Sequence, residues 1–158
     1  MVIVNIGKDY KEEVENIASA RWGGTKLAVH RQLFDLRYLP CLIAISEQRE
    51  LLGYCYYRIA DNECEIIAIE SVNPNIGVGS SLIARVIKIA IEGKCKRVYL
   101  ATTNDNTHAF RFYQRRGFIL NAVRLNELDY LRKIKPTIPI IGEDDIPLKH
   151  EFEFEIVL

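Results

Sequence analysis

The stretch from Cys64 to Phe118 constrains the fold most, because it alternates strand and helix signals over its whole length. Cys64 to Glu70 is an apolar run of strand-forming residues. Gly79 to Glu92 then places Leu82, Ile83, Val86, Ile87 and Ala90 at helical spacing, and Gly93 is positioned to stop that helix. Arg97 to Thr102 reads as the next strand, Asn106 to Arg116 as a second helix ended by Gly117, and Phe118 to Leu125 as a further strand. Strand, helix, strand in that order requires a crossover, so parallel pairing is expected at this point of a sheet.

The flanks supply the rest of such a sheet. Val2 to Ile6 reads as a strand. Asp9 followed by Glu12 gives a capping-box-like start to a helix with Val14, Ile17 and Ala18 on one face, ended by Trp22 and Gly23-Gly24. Lys26 to His30 predicts a short strand and Leu33 to Leu36 a helical turn. Cys41 to Ser46, Leu51 to Ile59 and Cys64 to Glu70, separated by polar segments, predict an antiparallel meander. Asn126 to Lys135 predicts a helix, Pro136, Pro139 and Pro147 mark a looping segment, and Glu151 to Leu158 predicts a final strand. No repeat, low-complexity tract or linker interrupts the pattern. Residues 1–158 are therefore expected to form one domain, a length that buries roughly two thirds of the unfolded surface.

Composition narrows the function classes. Lysine plus arginine number 21, as do aspartate plus glutamate, so no long-range field gathers nucleic acid or an anionic membrane. Met1 to Ile6 has neither a charged leader nor a small-residue cleavage site, and no apolar run approaches the roughly 20 residues that span a bilayer. A soluble, cytoplasmic protein is expected, with no nucleic-acid or membrane partner. Cys41, Cys55, Cys64 and Cys95 lack metal-ligand spacing and read as buried, inert thiols, so no metal is expected.

Gly77 and Gly79 lie between a strand and a buried helix, where backbone N–H groups and the helix dipole suit an anion such as a pyrophosphate. A plain strand-to-helix turn would use the same residues. The stretch from Asn106 to Phe118 carries the rest of the signal: Asn106, Ala109, Phe112, Tyr113, Gly117 and Phe118 match the pattern N-x-x-A-x-x-F-Y-x-x-x-G-F at every defined place. Together with the glycine loop, which resembles Q/R-x-x-G-x-G/A with Pro74 at the Gln/Arg position, this segment resembles the cofactor half of the GNAT (GCN5-related N-acetyltransferase) superfamily. The resemblance runs from about Cys41 to Phe118.

That resemblance implies an α/β, GNAT-like (acyl-CoA N-acyltransferase) mixed central sheet of about seven strands flanked by helices on both faces. It implies acetyl-CoA as acetyl donor, without a metal, and direct transfer to the primary amine of a small molecule or a protein in a ternary complex. A non-catalytic CoA-binding sensor or interaction module on the same fold is the rival. Ile69, Ser71, Val72, Ile76, Gly77, Val78, Gly79, Ser80, Ser81, Asn106, Phe112 and Tyr113 become the implied cofactor contacts. Tyr113 becomes the acid for the departing thiolate, and backbone N–H groups near Ile69 to Val72 become oxyanion donors. Glu65 is the first candidate base, since Cys64 to Ile69 resembles the strand carrying the catalytic glutamate in the histone-acetyltransferase branch. Glu70, nearer the strand's C-terminal end, is the alternative, and a salt-bridged strand carboxylate is the competing reading for either. Trp22 and His30 fall where the superfamily builds its acceptor pocket. His108 is expected to be exposed, while Arg111 and Arg115 share one helical face that either solvent or cofactor phosphates would suit. Glu143, Asp144 and Asp145 read as a solvated turn or as an attractor for a cationic acceptor. The resemblance also allows a homodimer in which the C-terminal strand exchanges or pairs between chains.

Overall fold

In the computed structural model, which describes residues 1–73 and 77–158, strand β1 (Val2–Asn5) leads through helix α1 (Lys8–Trp22) into a hairpin of β2 (Lys26–Val29) and β3 (Gln32–Asp35). A 3-10 turn, Leu36–Tyr38, precedes the meander β4 (Cys41–Ile45), β5 (Leu51–Ala60) and β6 (Glu63–Ser71). The chain continues as α2 (Val78–Glu92), β7 (Arg97–Thr103), α3 (Thr107–Gln114), β8 (Ile119–Arg124), α4 (Glu127–Ile134), a 3-10 turn Glu143–Asp145 and β9 (Glu151–Val157). Seven strands form one sheet in the order β1-β4-β5-β6-β7-β9-β8, and β2-β3 stands apart as a hairpin. Among the described residues of this sheet only β6 and β7 pair in parallel, as the crossover through α2 requires. The expected mixed sheet of about seven strands is present.

Each sheet face is covered by the helices whose apolar stripe matches it. Leu82, Ile83, Val86 and Ala90 of α2, with Ala109 and Tyr113 of α3, pack on Leu42, Cys55, Cys64, Ile66, Val98, Leu100 and Phe154. Val14 and Ala18 of α1, with Leu27 and Phe34 of the hairpin, cover Ile43, Tyr54, Tyr56 and Ile67 on the opposite face. Strand β9 shows how strictly period-2 alternation works here. Phe152, Phe154 and Ile156 join the α2/α3 core, with the Phe110 ring 4.7 Å from Phe152 and 5.3 Å from Phe154. Glu151, Glu153 and Glu155 face the other way, onto Arg97 and Arg124.

Two sequence expectations are corrected. Helix α1 is capped by Gly7 without a side-chain bond, so Asp9 sits in the first turn rather than at the cap. Leu33 to Leu36 is mostly strand β3, not a helical turn. The two residues that reverse the chain, His30 and Arg31, both adopt left-handed φ of 47° and 60°. Such a turn normally advertises itself by Asn-Gly, and neither residue here is glycine. Strand β9 pairs along both edges with β7 and β8. All four cysteines are free and buried. No helix among the described residues is long and apolar enough to cross a membrane.

The feature that positions the site is the short contact between β6 and β7. Their register comprises Cys64↔Val98, Glu65↔Tyr99 and Ile66↔Leu100 and then stops, although β6 runs on to Ser71 and β7 to Thr103. At that point the β5/β6 register shifts between Tyr56 and Tyr57, so that Ile67 becomes an extra residue in β6. A bulge bends the strand that carries it, here away from β7. Beyond the bulge, Gly53 of β5 lets the chain approach closely. A methyl group at Gly53 would lie 2.6 Å from the Glu70 carbonyl oxygen and 2.7 Å from Val78 Cγ1. Gly53→Ala is expected to destabilise the fold by about 1–3 kcal/mol through overpacking, read as a lower urea midpoint. An unchanged midpoint would contradict this close approach.

Candidate active site

The parting of β6 and β7 opens a cleft of about 950 Å³. Ile69, Glu70 and Ser71 contribute its β6 wall, Gly77, Val78, Gly79 and Ser80 the start of α2, and Asn106, Phe112 and Tyr113 the α3 wall. Ile76 and Pro74 lie outside the described residues. Val72 and Ser81, expected at the cofactor, do not line the cleft. The Val72 N–H donates to the Leu52 carbonyl at 2.9 Å, and the Ser81 hydroxyl donates to the Gly77 carbonyl at 3.1 Å. Because amides alternate along a strand, the Val72 bond toward β5 turns the N–H groups of Ile69 and Ser71 toward the unpaired side. Those two amides, rather than that of Val72, are the donors open to an oxyanion.

The glycines have distinct physical reasons. Gly77 caps α2 with φ of 81°, a left-handed conformation that disfavours side chains. Gly79 is required by contact: a methyl group there would lie 2.8 Å from Cζ of Phe112. The α3 motif thus packs directly against the glycine loop. Asn106 caps α3, accepting from the Ala109 N–H at 3.0 Å, while its side-chain amide nitrogen has no bond among the described residues. Tyr113 is wedged by the rings of Phe112, Phe118 and Phe154, with centroids 5.2, 5.5 and 6.2 Å away. Its hydroxyl makes no hydrogen bond among the described residues, and burial pushes the phenol pKa up, so it stays protonated at neutral pH. His108 is exposed, as expected, at the rim of the cleft, its ring stacked 6.2 Å from that of Phe112.

In the same cleft, Arg21 joins two carboxylates. Its Nε lies 3.4 Å from Glu70 Oε2 and its Nη2 donates to Glu143 Oε1 at 2.5 Å. Burial raises the Glu70 pKa, and the Arg21 charge opposes the rise without cancelling it. Glu143 is fixed from behind, since its N–H donates to Asp105 Oδ2 at 2.9 Å and Asp105 also accepts from the Thr103 hydroxyl. Trp22 lines the same cleft, and its indole N–H is buried without an acceptor among the described residues. Arg21 and Arg116 were not singled out from the sequence as site residues. Glu143, read from the sequence as part of a solvated turn or an attractor for a cation, lines the cleft.

The acetyltransferase (GNAT) family model matches residues 9–118. The chain belongs to the GNAT acetyltransferase family. It is 33% identical to the uncharacterized protein YdhI of Bacillus subtilis over 158 residues, covering 100% of this chain and 99% of that one. It is also 42% identical over 55 residues to the spermine/spermidine N(1)-acetyltransferase of the same organism, 34% of each chain. Its fold matches a GNAT acetyltransferase of Elizabethkingia anophelis, solved with acetyl-CoA bound, with a TM-score of 0.73 at 18% identity, covering 99% of this chain and 97% of that one.

Two of the expected site residues, Glu65 and His30, do not line this cleft. Glu65, almost wholly buried, accepts from the Tyr99 hydroxyl at 3.1 Å and from Arg58 Nη2 at 3.4 Å, and its Oε1 is 2.7 Å from His30 Nδ1. They line a separate cavity of about 260 Å³ under the hairpin tip. The reason is register: Glu65 sits opposite Tyr99 in the paired part of β6, before the strands part, whereas Glu70 lies beyond the parting. His30 Nε2 is in turn 3.1 Å from Glu153 Oε2 and 3.8 Å from Glu151 Oε1. Arg31 completes the latch by a bidentate pair with Glu127 at 2.6 and 3.1 Å.

Burial disfavours the His30 imidazolium, but the Glu65 bond and the Glu151 charge outweigh it and hold the His30 pKa above its ordinary value. A raised folded pKa means that the contribution is fully present below the unfolded value of about 6.5 and is lost as pH rises through the folded value. His30→Asn, which suits the left-handed turn but carries no charge, is expected to flatten the fall of unfolding free energy above about pH 6.5. Urea titrations across pH check this, and parallel wild-type and variant curves would refute it.

Proposed function

We propose that this acetyltransferase passes the acetyl group of acetyl-CoA directly to a cationic primary amine in a ternary complex. Glu70 is the base and Tyr113 the acid. The observation that carries this reading is that both side chains line one cleft beside the parted strands. An amine acceptor is protonated at neutral pH and must shed a proton before it attacks. Burial brings Glu70 closer to the pH at which a base must work, and Tyr113 is held in its protonated form. The amine nitrogen bonds to the acetyl carbon, the carbon–sulfur bond breaks, and Tyr113 protonates the sulfur. Of the two protons the ammonium loses, one leaves through Glu70 to solvent and the other restores the phenol. No cysteine is among the described residues lining the cleft, which favours direct transfer over a covalent acyl-enzyme.

The cationic acceptor is supported by Glu70 and Glu143, which already hold one cation, Arg21, in the cleft. The partial likeness to a spermine/spermidine acetyltransferase points the same way. Thiol release with acetyl-CoA and a panel of mono-, di- and polyamines tests the reading. Turnover only with uncharged acceptors would overturn it.

Tyr113→Phe is expected to lower kcat by about 10²-fold with little change in cofactor affinity. Glu70 must be ionised to accept a proton, so kcat/KM is expected to rise with pH through a value above the usual carboxylate range. Removing the opposing charge with Arg21→Ala should move that limb to higher pH, and Glu70→Gln should abolish it. A Glu70→Gln enzyme with the limb intact would take the base role away from Glu70.

A further inference from the structure

Arginines in this chain are mostly neutralised: Arg21, Arg31, Arg37, Arg58, Arg97, Arg124 and Arg132 each lie within 4.0 Å of a carboxylate. Arg111, Arg115 and Arg116 have no such partner among the described residues, and all three line the cleft. Arg116 is also held in place. Its Nε and Nη2 donate to Ser80 Oγ at 2.9 and 2.6 Å, its Nη1 donates to the Phe112 carbonyl at 2.7 Å, and its guanidinium lies 3.5 Å from the Phe112 ring centroid. Burial and the charge of Arg115 both lower the Arg116 pKa, so the group sits in a field that favours a bound anion.

The Ser80 geometry gives a direction. A hydroxyl oxygen has two acceptor sites, and Arg116 uses both. The Ser80 proton must therefore point away from Arg116, as a donor in the first turn of α2, where helix amides also lack internal partners. We infer that Arg116 and Ser80 act as one unit that grips the pyrophosphate of the cofactor, supplying the side-chain donors that Pro74 does not. This rests on the acetyl-CoA reading above. The assignment is to the pyrophosphate rather than the 3′-phosphate because Ser80 belongs to the helix start. Arg111 and Arg115 remain for the outer phosphate.

Calorimetric titration of CoA and dephospho-CoA, which keeps the pyrophosphate but lacks the 3′-phosphate, tests the inference. Arg116→Ala is expected to weaken both ligands equally, by about 10- to 100-fold. Ser80→Ala should weaken both by a smaller factor, and the double variant should be no weaker than Arg116→Ala alone, because the two side chains form one unit. Arg116→Lys, which keeps the charge but loses the fork, covers the case in which the alanine variant fails to fold and should also weaken both ligands equally. Loss confined to CoA would assign Arg116 to the 3′-phosphate and overturn the inference, as would unchanged affinity for both. A wild-type protein that binds neither ligand would overturn the cofactor reading itself and this inference with it.

Discussion

Where β6 and β7 stop exchanging hydrogen bonds, after Ile66 and Leu100, the backbone of Ile67 to Ser71 loses its partner on one edge. A polar group left unpaired in a buried setting costs about 1–3 kcal/mol, so such a gap persists only where water or a ligand can enter. The extra residue at Ile67 is the mechanical cause, since it bends β6 at the position where pairing ends. On its other edge, β7 is secured along its full length by β9, from Arg97↔Val157 to Thr103↔Glu151. The opening is thus confined to one place between two well-anchored strands.

Two parts of the cleft wall depend on the short loop after β7. Asn106 caps α3 and so fixes the helix that presents Phe112 and Tyr113. Its neighbour Asp105 accepts from the Glu143 amide and thereby holds the carboxylate that meets Arg21. The two wall motifs are likewise one packed object. Phe112 rests on Gly79, Arg116 stacks on Phe112, and Arg116 returns to Ser80 beside that glycine. A side chain at position 79 would displace the ring and, with it, the guanidinium above it.

Local patterns in the sequence carried the helices and the strands, because their apolar periods are long and regular. The α2 stripe and the alternation of β9 are the clearest cases. What local pattern could not carry was pairing across distance. The insertion of β9 between β7 and β8 and the Arg21 bridge from Glu70 to Glu143 join residues far apart in the chain, while the local hairpin closed by His30 and Arg31 lacked the glycine that marks such a turn. Glu65 and Glu70 illustrate the limit. Both are strand carboxylates five positions apart, and only the end of the β6/β7 register places one under the hairpin and the other in the cleft.

The central claim, that the parted strands receive the cofactor, is tested most directly by amide hydrogen exchange with and without acetyl-CoA. Slowed exchange is expected in peptides covering Ile67 to Ser71 and the start of α2, with little change at the Glu65 and His30 cavity. Binding that left Ile67 to Ser71 unprotected, or that protected the hairpin tip instead, would contradict it.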